Sequence, residues 1–108
     1  MNQKKIIKQL DNDSVRYAKN LYKLEIISIP IIRIPDYIRH ISNLEDLVLR
    51  DSGLKEFDEL LLELDSLEWL DLRGNKELRI DQEIRDLLYK KLKLFNPPEH
   101  YSFLKEIK

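Results

Sequence analysis

Two histidines and several pairs of adjacent acidic residues are the side chains of this sequence that could take part in acid–base or metal chemistry. His40 and His100 lie 60 residues apart, and neither has a nucleophile or a second metal ligand at a useful spacing. Pairs such as Glu45-Asp46 and Asp58-Glu59 are expected in a chain with 20 acidic residues, and most of them suit a solvated surface. The sequence therefore predicts no catalytic residues, no cofactor and no metal site.

The composition sets further bounds on the function. The chain has 108 residues, enough for one small domain, and its 19 basic and 20 acidic residues are interspersed along it. A net charge of −1 gives no electrostatic reason to expect nucleic acid or an anionic membrane surface as a partner. There is no cysteine and no apolar run long enough to span a bilayer, so we expect a cytoplasmic protein that does not contact membranes.

A spacing of 23 residues recurs through the chain. Six positions per copy are apolar in all three copies, namely Leu21/Leu44/Leu67, Leu24/Leu47/Leu70, Ile26/Leu49/Leu72, Ile34/Phe57/Ile80, Ile38/Leu61/Ile84 and Ile41/Leu64/Leu87. Apolar residues make up only 43% of the chain, so chance does not explain eighteen apolar residues in eighteen places. The sequence is therefore built from repeats, and a single unit of this size could not bury its own apolar face.

The spacing within one copy predicts its local structure. The second and third apolar positions are two residues apart, as on one face of a strand, and the last three suit one face of a helix or of helical turns. The helix starts are marked by Pro35-Asp36, Asp58-Glu59 and Asp81-Gln82, where acceptors are needed for unpaired N–H groups. Each copy is predicted to be a strand, a turn and a helical return, which gives an α/β fold with one core between sheet and helices.

Residues 67–75, "LEWLDLRGN", carry the pattern Leu-x-x-Leu-x-Leu-x-x-Asn, and in this they resemble the leucine-rich repeat family. The resemblance implies a short solenoid with parallel strands on a concave face and helices on a convex face. It also implies that the Asn75 amide bonds backbone groups where the chain leaves its strand. Ser52 fills the same place in the second copy. Ile29 departs from it in the first, so that turn must be stabilised in another way.

The chain is predicted to be a single domain, residues 1–108. Residues 1–20 form an N-terminal cap and half repeat, residues 21–43, 44–66 and 67–88 are the three repeats, and residues 89–108 are a partial repeat and C-terminal cap. In the last segment, Tyr89, Leu92 and Leu94 match the strand spacing again. Asn96 followed by two prolines is predicted to start a helix, with Tyr101, Leu104 and Ile107 on its apolar side.

Positions between the buried strand residues point outward, onto the predicted concave face. They form three columns: Lys23, Asp46, Trp69 and Lys91; Glu25, Val48, Asp71 and Lys93; Ile27, Arg50, Arg73 and Phe95. A tryptophan at an outward strand position is unusual for a soluble surface, and tryptophan beside arginine is typical of interface hot spots. The predicted partner-binding residues are therefore Trp69, Val48, Arg50, Asp71, Arg73 and Asp46.

Two alternatives to this site follow from the same residues. Trp69 could simply lie over Arg50 or Lys91 as a cation–π pair, with no partner involved. A homodimer could instead form through Ile27 and Ile32, or through Leu60 and Leu62, because these apolar residues fall outside the repeated buried positions.

The function predicted from the sequence is a non-enzymatic module that binds a partner protein on its concave face. The alternative is a regulatory inhibitor, or immunity-type protein, that occludes the active site of a partner enzyme. Fold resemblance does not separate these roles, because the same architecture serves many of them.

Overall fold

The computed structural model describes residues 21–99 in full and residues 3–6 by their backbone. The chain forms a mixed α/β structure around a parallel sheet. The strands are β1 (Gln3–Ile6), β2 (Leu21–Ile27), β3 (Asp46–Arg50), β4 (Trp69–Asp71) and β5 (Leu94–Asn96). The helical segments are a 3₁₀ helix (Asp36–His40), α1 (Leu60–Glu63) and α2 (Gln82–Lys91).

Within the described residues the five strands lie in sequence order, each parallel to the next. Leu24 pairs with Leu47, and Leu47 pairs with Leu70, so residues 23 positions apart lie side by side from β2 to β4. The step to β5 is longer, because Leu70 pairs with Phe95, 25 positions on. Because neighbouring strands are parallel, the chain must run back along the sheet between one strand and the next. The three helical segments lie in the connections between β2 and β5.

The core lies between one face of the sheet and the helical segments. Fifteen of the eighteen predicted core residues are buried, Phe57 and Ile84 are partly buried and pack against the core, and the exception is Leu87. Leu87 is 50% exposed, whereas Leu88 is fully buried in its place. The third return is a regular helix of ten residues, and its periodicity turns the residue after the predicted one towards the sheet.

Asn75 joins two successive strand exits with its side chain. Its Oδ1 accepts hydrogen bonds from the backbone N–H groups of Ser52 and Leu54, at 3.1 and 3.0 Å. Its Nδ2 donates to the carbonyls of Leu49 and Leu72, both at 2.7 Å. These four bonds confirm the role predicted for Asn75, and they pair four buried backbone groups at two successive strand exits.

The first turn, where Ile29 replaces asparagine, is held from the second turn. Ser52 Oγ donates to the carbonyl of Ile26 at 3.1 Å, and the N–H of Ile31 donates to the carbonyl of Ser52 at 3.0 Å. Ser52 therefore takes over, one turn back, part of what Asn75 does for the following pair of strands. This is the other means of stabilisation that the departure at Ile29 predicts.

A left-handed backbone recurs just after each strand of the repeated region. Ser28, Asp51 and Gly74, each 23 positions from the next, have φ of 61°, 51° and 84°. The N–H of each donates to a carbonyl of the following strand or turn, on Arg50, Arg73 and Pro98 respectively. The conformation turns the chain out of the strand while its N–H remains paired, and glycine adopts it at the least steric cost.

The predicted helix starts differ in how they are capped. Asp58 Oδ1 accepts a hydrogen bond from the N–H of Leu60 at 2.9 Å, as predicted for a residue at the start of α1. Pro35 and Asp81 are the residues before the other two helical segments, and neither makes a side-chain capping bond. Asp81 still places an acidic side chain beside the N-terminus of α2, where it is electrostatically favourable.

The two ends of the chain are described only in part. Strand β1 pairs with β2, so residues 3–6 extend the sheet at its β2 edge. Asn96 is not a helix cap as predicted but the last residue of β5, and residues 98–99 form a turn. The predicted half repeat just before residue 21, and the predicted helix carrying Tyr101, Leu104 and Ile107, lie outside the described residues.

Candidate partner-binding surface

The outward-pointing residues of β2 to β5 form a surface on the side of the sheet away from the helical segments. The strand register aligns them in rows: Lys23, Asp46, Trp69 and Leu94; then Glu25, Val48, Asp71 and Asn96; then Ile27 and Arg50, with Arg73 following β4. We call this surface the strand face. It brings together all six predicted partner-binding residues, because positions 23 apart become lateral neighbours.

One end of the strand face carries an ion-pair cluster centred on Lys23. Its ammonium lies 3.3 Å from Glu25 Oε2 and 3.2 Å from Asp46 Oδ2. Burial by itself would lower the pKa of Lys23, but hydrogen bonds and charge attraction to Asp46 and then Glu25 outweigh it, so the pKa is raised. One cation therefore serves two carboxylates at this end of the face.

A second ion-pair cluster of the strand face is centred on the carboxylate of Asp71, which lies beside two arginines. The Arg73 guanidinium donates two hydrogen bonds to this carboxylate, from Nε to Oδ1 at 2.8 Å and from an Nη to Oδ2 at 2.7 Å. The Arg73 backbone N–H also donates to Oδ1, at 3.1 Å. The hydrogen bonds to Asp71 raise the pKa of Arg73, against the opposing effect of burial. Arg50 Nε stands 3.8 Å from Asp71 Oδ2 and is the second cation beside this carboxylate.

Next to both charged clusters, on β4 and β5, lies an apolar strip. Trp69 is 46% exposed and Leu94, its partner in register on the next strand, is 52% exposed. Both border a shallow depression of about 180 Å³, which Val48 also lines. Two large apolar side chains side by side on a sheet, next to fixed charges, form a surface that a partner side chain could cover.

The predicted contribution of the last strand to the strand face, namely Lys91, Lys93 and Phe95, is wrong. Lys91 ends α2 and its Nζ donates to the carbonyl of Leu64 at 2.8 Å, so it does not stand beside Trp69. Phe95 was expected to point outward but is buried in the core, where it pairs in register with Leu70. Lys93 precedes β5, and the outward residues there are Leu94 and Asn96.

A signal for this register is present in the sequence. Leu92, Phe95 and Pro97 are buried at the same relative spacing as Leu67, Leu70 and Leu72, so the strand pattern continues as Leu-x-x-Phe-x-Pro. The prediction used Tyr89, Leu92 and Leu94 instead. Of these only Leu92 is buried, while Tyr89 and Leu94 are exposed.

The predicted residues differ in how accessible they are. Asp46, Val48 and Asp71 are buried although they point away from the core, because side chains of adjacent strands cover them laterally. Arg50 and Arg73 are partly exposed, and Trp69 is the most exposed of the six. The accessible part of the strand face is therefore Trp69 and the two arginines, with Leu94 added, while the three buried side chains lie between them.

The two alternatives to this site fare differently. With Lys91 bonded to Leu64, the cation–π pair between Trp69 and Lys91 is contradicted, and the pair with Arg50 stays a prediction. The dimer contact predicted through Leu60 and Leu62 assumed that both lie outside the core. That placement is wrong, because Leu60 is buried in the core and Leu62 packs partly against it. Ile32 is 55% exposed, as that alternative requires.

The described part of the chain shows neither a metal site nor a membrane-spanning helix. There, no group of three histidine, cysteine or acidic side chains is placed to hold a metal ion. His40 is exposed at the end of the 3₁₀ helix, and His100 lies outside the described residues. Among residues 3–6 and 21–99, no helix is both long and apolar enough to cross a bilayer. A scan against protein-family models and a search of curated proteins both find no match for this chain.

Proposed function

We propose that this chain is a leucine-rich-repeat module that binds a partner protein on its strand face and carries out no catalysis itself. Three features support the assignment to this class: the spacing of 23 residues between paired strand positions, the sequence-ordered parallel strands, and the four backbone bonds of Asn75. A solenoid of such units presents its strands as one continuous surface, which suits recognition of another protein.

The observation that carries the proposal is the apolar strip of Trp69 and Leu94. Each side chain is about half exposed on a sheet whose other face is filled by the core. The positions in register with Trp69 hold Lys23 in β2 and Asp46 in β3, so the fold does not require an aromatic side chain there. A partner that covers this strip would remove apolar surface from water, which is the main favourable term in protein association.

The charged residues around the strip make the surface rigid before binding. Asp71 is fixed by Arg73, and Asp46 is fixed by Lys23, so neither side chain has to be ordered when a partner arrives. Ordering side chains at an interface costs about 0.5–1.5 kcal/mol for each long side chain, and a preformed surface avoids part of that cost.

The test combines capture of a partner with single substitutions. A pull-down with the full chain followed by mass spectrometry supplies the partner, and titration calorimetry measures its affinity. Trp69→Ala and Leu94→Ala should each weaken binding by about 2 kcal/mol, roughly thirtyfold, if the strip is the hot spot. Leu87→Ala is the matched control, because Leu87 is equally exposed but lies on α2, on the far side of the sheet.

The stability of each variant must be measured with its affinity. Trp69 is only half buried, so Trp69→Ala should cost about 1–2 kcal/mol of folding free energy, less than the 3–5 kcal/mol typical of a core tryptophan. Equal affinities for wild type, Trp69→Ala and Leu94→Ala would place the binding surface elsewhere on the chain. A loss of affinity in Leu87→Ala alone would place it on the helical side.

A further inference from the structure

Arg50 has an unusual position on the strand face. Its Nε is shielded from solvent, yet it is the one such side-chain nitrogen or oxygen of the described residues with no hydrogen-bond partner. The guanidinium as a whole stays partly accessible, with 31% of the side chain exposed. A buried donor without an acceptor costs stability, and such a group in a native structure calls for an explanation.

The nearest carboxylate cannot supply the missing acceptor. Asp71 already accepts three hydrogen bonds from Arg73, two from its guanidinium and one from its backbone N–H. The 3.8 Å between Arg50 Nε and Asp71 Oδ2 is too long for a hydrogen bond. Arg50 is therefore attracted to Asp71 by charge alone, and its fork of donors is not matched by an acceptor.

The charged groups near Arg50 also bear on which acceptor it could take. Around Asp71 the guanidinium groups of Arg50 and Arg73 share one carboxylate, and the charge of Asp51 also attracts Arg73. Around Lys23 one ammonium faces two carboxylates, which leaves one negative charge at the opposite end of the strand face. Because Arg73 is already hydrogen-bonded to Asp71, Arg50 is the guanidinium left to receive a further anion. One guanidinium suits a carboxylate better than a doubly charged phosphate, which Asp71 would repel.

We infer that Arg50 receives a carboxylate of the partner, and that the partner segment carries both an acidic side chain and, at a distance set by the sheet, an apolar one. This inference rests on the proposed function of the strand face. The acidic side chain would accept hydrogen bonds from the Arg50 guanidinium, and the apolar side chain would cover Trp69 and Leu94. The charge of Arg50 complements the acid, and the exposed strip complements the apolar group.

The spacing between the two contacts follows from the sheet. Asp46 is the neighbour of Trp69 in register, and Arg50 lies four residues further along the same strand. At about 3.3 Å per residue this separates the two sites by roughly 13 Å along the strands. An extended partner segment lying along the strands would therefore place its acidic residue about four positions from its apolar residue.

The probe for the test is a display library of random twelve-residue peptides, selected on the full chain. Enriched peptides should carry aspartate or glutamate about four positions from an aromatic or large aliphatic residue. One enriched peptide is then synthesised and its affinity measured by calorimetry. Arg50→Gln should weaken its binding at least tenfold, as expected for loss of a hydrogen bond between charged groups.

Two controls make the measurement specific. Arg39→Gln removes the same charge from the 3₁₀ helix, outside the strand face, and should leave the affinity unchanged. Replacing the acid of the peptide by its amide should weaken binding to the wild type, with little further loss on Arg50→Gln, because both changes remove one interaction. If Arg50→Gln does not fold, Arg50→Lys keeps the charge without the fork and should bind with intermediate affinity.

The outcomes separate this inference from the proposed function. Peptides that lose binding on Trp69→Ala but are indifferent to Arg50→Gln would overturn the role of Arg50 and leave the strand face as the binding surface. Peptides indifferent to both substitutions would overturn both. Enrichment of peptides without an acidic residue, or no enrichment at all, would also count against the carboxylate.

Discussion

Asn75 Oδ1 accepts a hydrogen bond from the backbone N–H of Ser52, 23 positions earlier in the chain, at 3.1 Å. The side chain of one turn thus completes the backbone of the turn before it. Because the bond is buried and joins successive strand exits, it couples the stability of neighbouring units rather than that of one turn alone.

Removal of this amide should be costly. Asn75→Ala leaves two N–H groups and two carbonyls without their partner, and each buried group left unsatisfied costs about 1–3 kcal/mol. We expect a loss of at least about 3 kcal/mol in the free energy of unfolding, measured by urea denaturation. Ser52→Ala removes only one hydroxyl donor, shared between the carbonyls of Ile26 and Arg50, and should cost about 1 kcal/mol. The reverse ranking would contradict this role of Asn75.

The two glycines offer a matched pair for the left-handed turn. A Cβ on Gly74 would lie 1.8 Å from Asp51 Oδ1, whereas a Cβ on Gly53 would meet nothing within 4 Å. Both have positive φ, so each change to alanine should cost about 1–2 kcal/mol for the backbone. Gly74→Ala should cost more, by displacement of Asp51, and Asp51→Ala in the same chain should recover part of the difference. Equal melting temperatures for the two alanine variants would refute the close contact.

Leu70 tests the register of the central strand. It is 1% exposed and lies between Leu47 and Phe95 in the sheet. Leu70→Ala should lower the free energy of unfolding by about 2–5 kcal/mol, because it opens a cavity in the core. Leu87→Ala, at an exposed position, should cost less than about 0.5 kcal/mol. A thermal melt in which the two variants are alike would show that the inward face has been misassigned.

The Lys23 cluster predicts a dependence of stability on pH. Because the pKa of Lys23 is raised in the folded state, its charge stabilises the fold fully below its unfolded value of 10.5, and that contribution is lost as pH rises through the folded pKa. Wild type should therefore be more stable than Lys23→Gln at pH 8, and the difference should shrink above about pH 10.5. Comparing the two proteins cancels the titration of the other lysines. A constant difference between pH 8 and pH 11 would contradict the ion pairs.

The spacing of 23 residues was enough to predict most of the core. Leu24, Leu47 and Leu70 are buried and adjacent, as the repeat requires. The role of Asn75 was also predictable, because the residue that can satisfy backbone groups at a strand exit is recognisable by its type and place. Leu60 was not, because a one-turn helix has no periodicity from which to tell its inward from its outward side.

The last strand was misassigned for a related reason. Leu92-x-Leu94 and Leu92-x-x-Phe95 both fit a strand, and the sequence pattern does not choose between them. The choice depends on how many residues α2 uses to cross the sheet, and that helix of ten residues moves the register from 23 to 25 positions. Leu94 was therefore missed as the neighbour of Trp69.

The sequence by itself determined the repeated unit, the inward face of β2 to β4 and the turn chemistry at Asn75, because strand alternation and turn geometry act over a few residues. Only the tertiary structure decided the pairing of charges on the strand face. Arg73 donates hydrogen bonds to Asp71, and Arg50 Nε is left without an acceptor, although both arginines occupy the same place in their repeats. That outcome depends on distances of about an ångström between side chains of different strands, and a spacing in the sequence does not fix such distances.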